Sequence, residues 1–201
     1  MQIKKFLFDL GNVFFDWSPK LIFKEIIPDE EKLNFFLDKI SRPHLDEKCD
    51  KGILIKDAVK EASKKFPDFK SEIEVYYSLH RKMVKGSFQQ SIDVLNKLKS
   101  LNYPCYVLSN WSDETYEGME DEYPFLKNFD GKIISGREKL IKPDPAIYKL
   151  AMSRFNLIPK ETVFIDDRLE NIDTAKQLGF HTILLNDPSK ISQLISRYIS
   201  N

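Results

Sequence analysis

Short apolar runs alternate with amphipathic stretches along this chain, most clearly in its second half. Apolar, β-rich runs cover residues 3–9, Pro104 to Leu108, Lys132 to Ile134, Thr162 to Ile165 and Thr182 to Leu185. Runs this short and continuous suit strands buried on both faces. Between them apolar residues recur at helical spacing: Ile92, Leu95 and Leu98; Ile147, Leu150 and Ala151; Ile172, Ala175 and Leu178; and finally Ile191, Leu194, Ile195 and Tyr198. Strand–helix alternation predicts an α/β fold, a Rossmann-like doubly wound parallel sheet with helices on both faces.

Residues 18–86 break the rhythm. They contain no convincing strand and read as several helices, punctuated by Pro28-Asp29, Gly52 and Pro67. The first strand is therefore expected to be separated from the rest of its sheet by a helical insertion. The domain division that follows is 1–17 with 87–201 as the catalytic core and 18–86 as a helical cap above the site.

Composition narrows the class without naming a function. The 201 residues are 42% hydrophobic, enough for a sizeable core. Lys+Arg and Asp+Glu stand at 31 each, so no basic excess points to nucleic acid or to an anionic membrane. The two cysteines, Cys49 and Cys105, cannot build a disulfide framework or a four-cysteine zinc site. No apolar stretch approaches the roughly 18 residues that span a bilayer, and a strand begins too close to Met1 for a signal peptide. The expectation is a reduced, cytoplasmic protein, monomer or homodimer, with neither nucleic acid nor membrane as partner.

Candidate chemistry collects where the apolar runs end. Asp9 leaves the first strand into Leu10-Gly11-Asn12-Val13, a turn that can aim a carboxylate at a ligand beyond the sheet's carboxyl edge. Ser109 and Asn110 end the second strand. Lys142 lies between Ile141 and Pro143, and Asp166-Asp167 close a later strand. An acid, a hydroxyl, a lysine and an acidic pair, in that order, suggest phosphoryl transfer.

Phe8-Asp9-Leu10-Gly11-Asn12-Val13, Leu108-Ser109-Asn110, Lys142-Pro143-Asp144-Pro145 and Ile165-Asp166-Asp167 with Asn171 resemble the four motifs of the haloacid dehalogenase superfamily, in its phosphatase branch with a helical cap. They run in the right order through nearly the whole chain. The first motif is similar to that of sugar-1-phosphate phosphatases. The resemblance implies a phosphatase acting on a small phosphorylated metabolite. Asp9 is then the nucleophile that forms an aspartyl-phosphate. Asp166 and Asp167, with Asp9 and the Gly11 carbonyl, would hold Mg²⁺, whose charge offsets the repulsion of adjacent carboxylates. Which of Asp166 and Asp167 binds directly is left open. Ser109 and the Asn110 backbone would bind phosphate oxygens at a helix start. Lys142, set in a backbone stiffened by Pro143 and Pro145, would supply charge for the phosphate and its transition state. Asn171 would orient the acidic loop or simply begin a helix.

One position departs from the family pattern. Many of these phosphatases carry a second aspartate two residues after the nucleophile as general acid and base, and here that residue is Gly11. Such assistance is typically worth about 10²–10⁴-fold. Its loss favours an acidic leaving group, such as the hemiacetal of a sugar-1-phosphate or an acyl phosphate. Two other readings stay open: a metal-independent 2-haloacid dehalogenase, which the resemblance also allows but whose carboxylate substrate the Asp166-Asp167 pair would repel, and, through the gap at Gly11, a catalytically weak binding protein on the same fold. The polar stretch from His44 to Gly52 is a candidate specificity loop or a solvated turn. Phe14, Phe15 and Trp17 are candidates for pocket wall or for core. His80 and His181 receive no role.

Overall fold

A computed structural model describes residues 2–199. All five expected strands are present: β1 (Lys5–Phe8), β4 (Cys105–Ser109), β5 (Gly131–Ile134), β6 (Thr162–Asp166) and β7 (His181–Leu184). They form one parallel sheet in the order β5-β4-β1-β6-β7, with Phe8 level with Val107 on one side and Ile165 on the other. The strand that carries Asp9 is therefore central, and the connections turn back beside it. Crevices of this kind, beyond the carboxyl ends of neighbouring strands, are where α/β sheets bind ligands.

Period-two alternation sends successive side chains to opposite faces. Phe6, Phe8, Val107 and Ile165 join one buried cluster, and Leu7, Leu108 and Phe164 join the other. Helices cover both faces. Gln89–Ser100 and Ile191–Ile195 pack on the first, Pro145–Arg154 and Leu169–Gln177 on the second.

The expectation that residues 18–86 hold no strand is corrected. β2 (Phe15–Trp17) and β3 (Val84–Ser87) pair antiparallel in a separate two-stranded ribbon, so the proposed boundary at 86/87 falls inside a strand. Between them, from Pro19 to Met83, the regular structure is helical. This helical segment has its own apolar centre, in which Phe23 packs on Phe36 at 4.8 Å and on Tyr76 at 5.4 Å between ring centroids. A second correction concerns His44–Gly52. A π-helical stretch, Phe36–Asp46, passes directly into Glu47–Asp50, and only Lys51-Gly52 turn. Among the described residues, no helix is long and apolar enough to cross a membrane.

Candidate active site

The loop after β1 fixes the nucleophile candidate. The amide of Asp9 still donates to Ile165 in the sheet, at 2.9 Å, and the chain then folds back so that Phe14 and Phe15 donate to Leu10. Asn12 sits in the left-handed region at φ 52°, a conformation asparagine tolerates better than most residues. Its side-chain amide donates to Asp167 Oδ2 at 3.0 Å. This tie between the first and last motifs was not anticipated from sequence; asparagine's preference for such turns was the available signal.

Asp9, Asp166 and Asp167 each offer a carboxylate oxygen to one place, all within 4.8 Å of one another. Lys142 lies beneath them, only 2% exposed. Its ammonium donates to Asp9 Oδ1 at 2.8 Å and to Asp166 Oδ2 at 2.6 Å. Burial acts to lower its pKa, but Asp166 and Asp9 outweigh burial and hold the amine above its ordinary value, firmly charged. Asp166 is saturated further: Oδ1 accepts from the Arg168 amide and from Asn171 Nδ2, both at 2.9 Å. Asn171 thus orients the acidic loop. Burial first, then the like charge of Asp9, pushes the carboxyls of Asp166 and Asp167 up to about 7.

Such a donor set fits a hard divalent cation. Its donors are all oxygen, and a cation between the three would relieve the repulsion that raises two of them. Asp9 Oδ2 and Asp167 Oδ1 accept no hydrogen bond from another described side chain, which leaves Asp167 Oδ1 open for coordination and Asp9 Oδ2 free to react. Gly11 lines the same space.

Of the other expected residues, Asn110 is brought to this centre, whereas Ser109 is not among the residues that line the cavity. Ser109 ends β4 and is buried; Asn110 lines the cavity beside it. The Asn110 side chain is occupied with the Lys142 backbone, donating to its carbonyl at 3.0 Å and accepting from its amide at 2.9 Å. Two loops are thereby clamped together and the lysine is aimed. Asp144 caps the next helix through the Ala146 amide at 2.8 Å, with Pro145 in its first turn.

A cavity of about 600 Å³ opens above the carboxylates. Its floor is Asp9, Gly11, Asn110, Lys142 and Asp167, and its far wall comes from the helical segment through Arg42, Asp46, Glu47, Asp50, Lys51 and His80. Trp17 lines it, whereas Phe14 and Phe15 are fully buried in the core. His80 and Trp111 are residues sequence reasoning missed. Each is 7% exposed, and His80 Nδ1 and Trp111 Nε1 have no hydrogen-bond partner. Burial, with Arg81 adding, lowers His80 to about 4, so it is neutral near pH 7. His181, by contrast, lies exposed on β7, its Nε2 3.2 Å from the Lys160 carbonyl oxygen.

Known proteins resemble this chain to different extents. The sesquiterpene phosphatase astK of Aspergillus oryzae is 24% identical over 194 residues, covering 92% of this chain and 90% of that protein. The (S)-2-haloacid dehalogenase 4A of Burkholderia cepacia is 29% identical over 101 residues, 50% of this chain and 44% of that enzyme, so the match spans less than half its length. A haloacid dehalogenase family enzyme from Bacteroides thetaiotaomicron, solved with magnesium and inorganic phosphate, gives a TM-score of 0.66 at 26% identity over 90% of this chain and 93% of its own. The pattern of the haloacid dehalogenase-like hydrolases matches residues 6–179. That match runs from the strand bearing Asp9 past the acidic pair, and with the parallel sheet and the converging carboxylates it makes this chain a member of the haloacid dehalogenase-like hydrolase family.

Proposed function

We propose that the chain is a Mg²⁺-dependent phosphatase of small phosphorylated metabolites, sugar-1-phosphates among them, and that residues 18–86 serve as its cap. The observation that carries this reading is the convergence of Asp9, Asp166 and Asp167 over the buried Lys142 ammonium at the foot of the cavity. The whole-length likeness to a phosphatase and the relative solved with magnesium and phosphate support it.

In this reading Lys142 holds Asp9 by Oδ1, leaving Oδ2 to attack phosphorus in line with the leaving oxygen. An aspartyl-phosphate forms, and water then releases inorganic phosphate. Ser109 and the Asn110 amide receive phosphate oxygens at the end of β4, and Lys142 offsets the growing negative charge. Mg²⁺, when bound by Asp9, Asp166, Asp167 and the Gly11 carbonyl, screens the approach of one anion to another.

The partial likeness to a 2-haloacid dehalogenase favours a second reading. Its substrate is itself a carboxylate and would meet three carboxyl groups with one lysine between them. Hydrolysis of p-nitrophenyl phosphate and of a sugar-phosphate panel, with Mg²⁺ and with EDTA, separates the readings. The phosphatase reading expects EDTA to abolish turnover and Asp9→Asn to lower it by at least about 10⁴-fold. Metal-independent release of halide from 2-chloropropionate would favour the dehalogenase. Equal rates for wild type and Asp9→Asn would favour a binding protein.

A further inference from the structure

Gly11 leaves the floor of the cavity without an acid. A Cβ built there would meet only Asp9 Oδ2, at 3.7 Å, so the space beside the nucleophile is open. Any proton for a leaving group has to come from another wall.

The helical wall offers several candidates, and their surroundings separate them. Asp46 is pinned: the buried Tyr76 hydroxyl donates to both its oxygens, at 2.9 Å each. Glu47 lies 3.7 Å from the Arg42 guanidinium and is 40% exposed at its side chain. His80 is neutral, its proton already lost at neutral pH. Asp50 differs from all three. It lines the cavity and, among the described residues, has no hydrogen-bond or ion-pair partner. Burial, then the charges of Asp46, Asp9 and Glu47, raises its pKa well above the carboxylate range, with Lys142 opposing. Its surroundings therefore favour the protonated form, and it shares the cavity with Asp9 and Lys142. The unpartnered nitrogens of His80 and Trp111 on the same cavity are a separate sign that a polar group belongs there.

Resting on the phosphatase reading, the geometry points to Asp50 as the general acid and base of the reaction, supplied by the helical segment in place of a side chain at position 11. As the bond from phosphorus to the leaving oxygen breaks, the Asp50 carboxyl transfers its proton to that oxygen, and product departs as a neutral alcohol. The Asp50 carboxylate then takes a proton from water as the water oxygen attacks phosphorus. The bond from phosphorus to Asp9 breaks, giving inorganic phosphate, a free Asp9 carboxylate and a reprotonated Asp50.

Rapid-quench kinetics with Mg²⁺ tests this on two substrates, p-nitrophenyl phosphate and glycerol phosphate. Nitrophenolate leaves without a proton; an alkoxide does not. Asp50→Asn is expected to slow the first turnover of glycerol phosphate by about 10²–10⁴-fold and to spare the p-nitrophenol burst, with a slow steady state after it. Asp50→Glu should restore part of the glycerol phosphate rate. In the wild type, first-turnover cleavage of glycerol phosphate should fall as rising pH ionises Asp50, while the burst does not follow it. That comparison needs no variant. Equal slowing of both substrates, or of neither, overturns the assignment. A wild type inactive on both with Mg²⁺ overturns the phosphatase reading itself.

Discussion

The rim of the sheet and the helical wall face each other across one cavity, and they treat their polar groups in opposite ways. At the rim every acid is tied. Asp166 accepts from Lys142, Arg168 and Asn171; Asp9 accepts from Lys142; Asp167 accepts from Asn12. On the wall Tyr76 holds Asp46, but Asp50 and the Nδ1 of His80 have no such partners among the described residues. A group held by strands and second contacts keeps its geometry without substrate, which is what chemistry at phosphorus requires. A group on a separately packed helical segment can change position with that segment. On the proposed reading, attack at phosphorus belongs to the sheet, and proton transfer and selection to the wall.

The largest expected effect lies at the rim. Lys142→Met removes the only ammonium between two buried acids and leaves both uncompensated. Breaking a buried ion pair from one side typically costs about 3–5 kcal/mol. The urea midpoint of the metal-free protein should fall accordingly, and Mg²⁺ should recover part of the loss. Asp50→Asn, on the wall, should leave the midpoint unchanged or raise it, because no partner is orphaned. Equal destabilisation by the two variants would erase the distinction between rim and wall.

The rim was also the legible region. Its strands are buried on both faces, so they read as continuous apolar runs, and Asp9, Ser109 and Asp166-Asp167 lie at their ends, where the sheet's topology brings them together. Lys142 lies instead in the loop after the helix Ser135–Glu138 and is legible only from its neighbours Ile141 and Pro143. The wall could not be read so. Pro43 and the polar run after it suggest a loop, yet Phe36–Asp46 is helical, its side chains held by Phe23, Tyr76 and their neighbours rather than by local propensity. β2 and β3 are three and four residues long, with Gly86 inside the second, too short for an alternating pattern. His80 and Asp50 come to face Asp9 only through long-range packing, which no local pattern encodes.

A smaller effect joins the two regions through protons. Without a cation, burial holds Asp166, Asp167 and Asp46 up to about 7. Unfolded, each titrates near about 3.9. Between about pH 4 and 7 the folded chain therefore binds more protons than the unfolded one, and its stability should fall as pH rises through that window. A cation competes with those protons at the rim but not at Asp46. Stabilisation by Mg²⁺ should accordingly be slight near pH 5 and greatest above pH 7. Melting temperatures in EDTA and in Mg²⁺ across this range check it, and Asp167→Asn should flatten the metal-free slope. A metal-free melting temperature that climbs with pH would contradict the placement of these acids.

The smallest expected effect is at the seam where wall meets core. Gly52 has φ +83°, and a Cβ there would meet the Gly136 carbonyl oxygen at 2.7 Å and Lys139 Cγ at 2.9 Å. The lysine tail can move; the backbone carbonyl cannot without shifting the helix Ser135–Glu138. Close by, the Ile55 amide donates to Glu114 Oε1 at 2.7 Å, a second tie across the same seam. Gly52→Ala therefore adds a steric clash to left-handed backbone strain, and the low-cost relief is for the segment to lift from the core. The rim lies on the other side of that seam, with its own hydrogen bonds intact. The variant should raise KM for a metabolite more than it lowers kcat, and Mg²⁺ affinity measured by calorimetry should stay unchanged. Glu114→Gln, which weakens the second tie without a clash, should move KM in the same direction by less. If Gly52→Ala weakened Mg²⁺ binding as much as substrate binding, rim and wall would form one unit, and bond-making and selection could not be assigned separately.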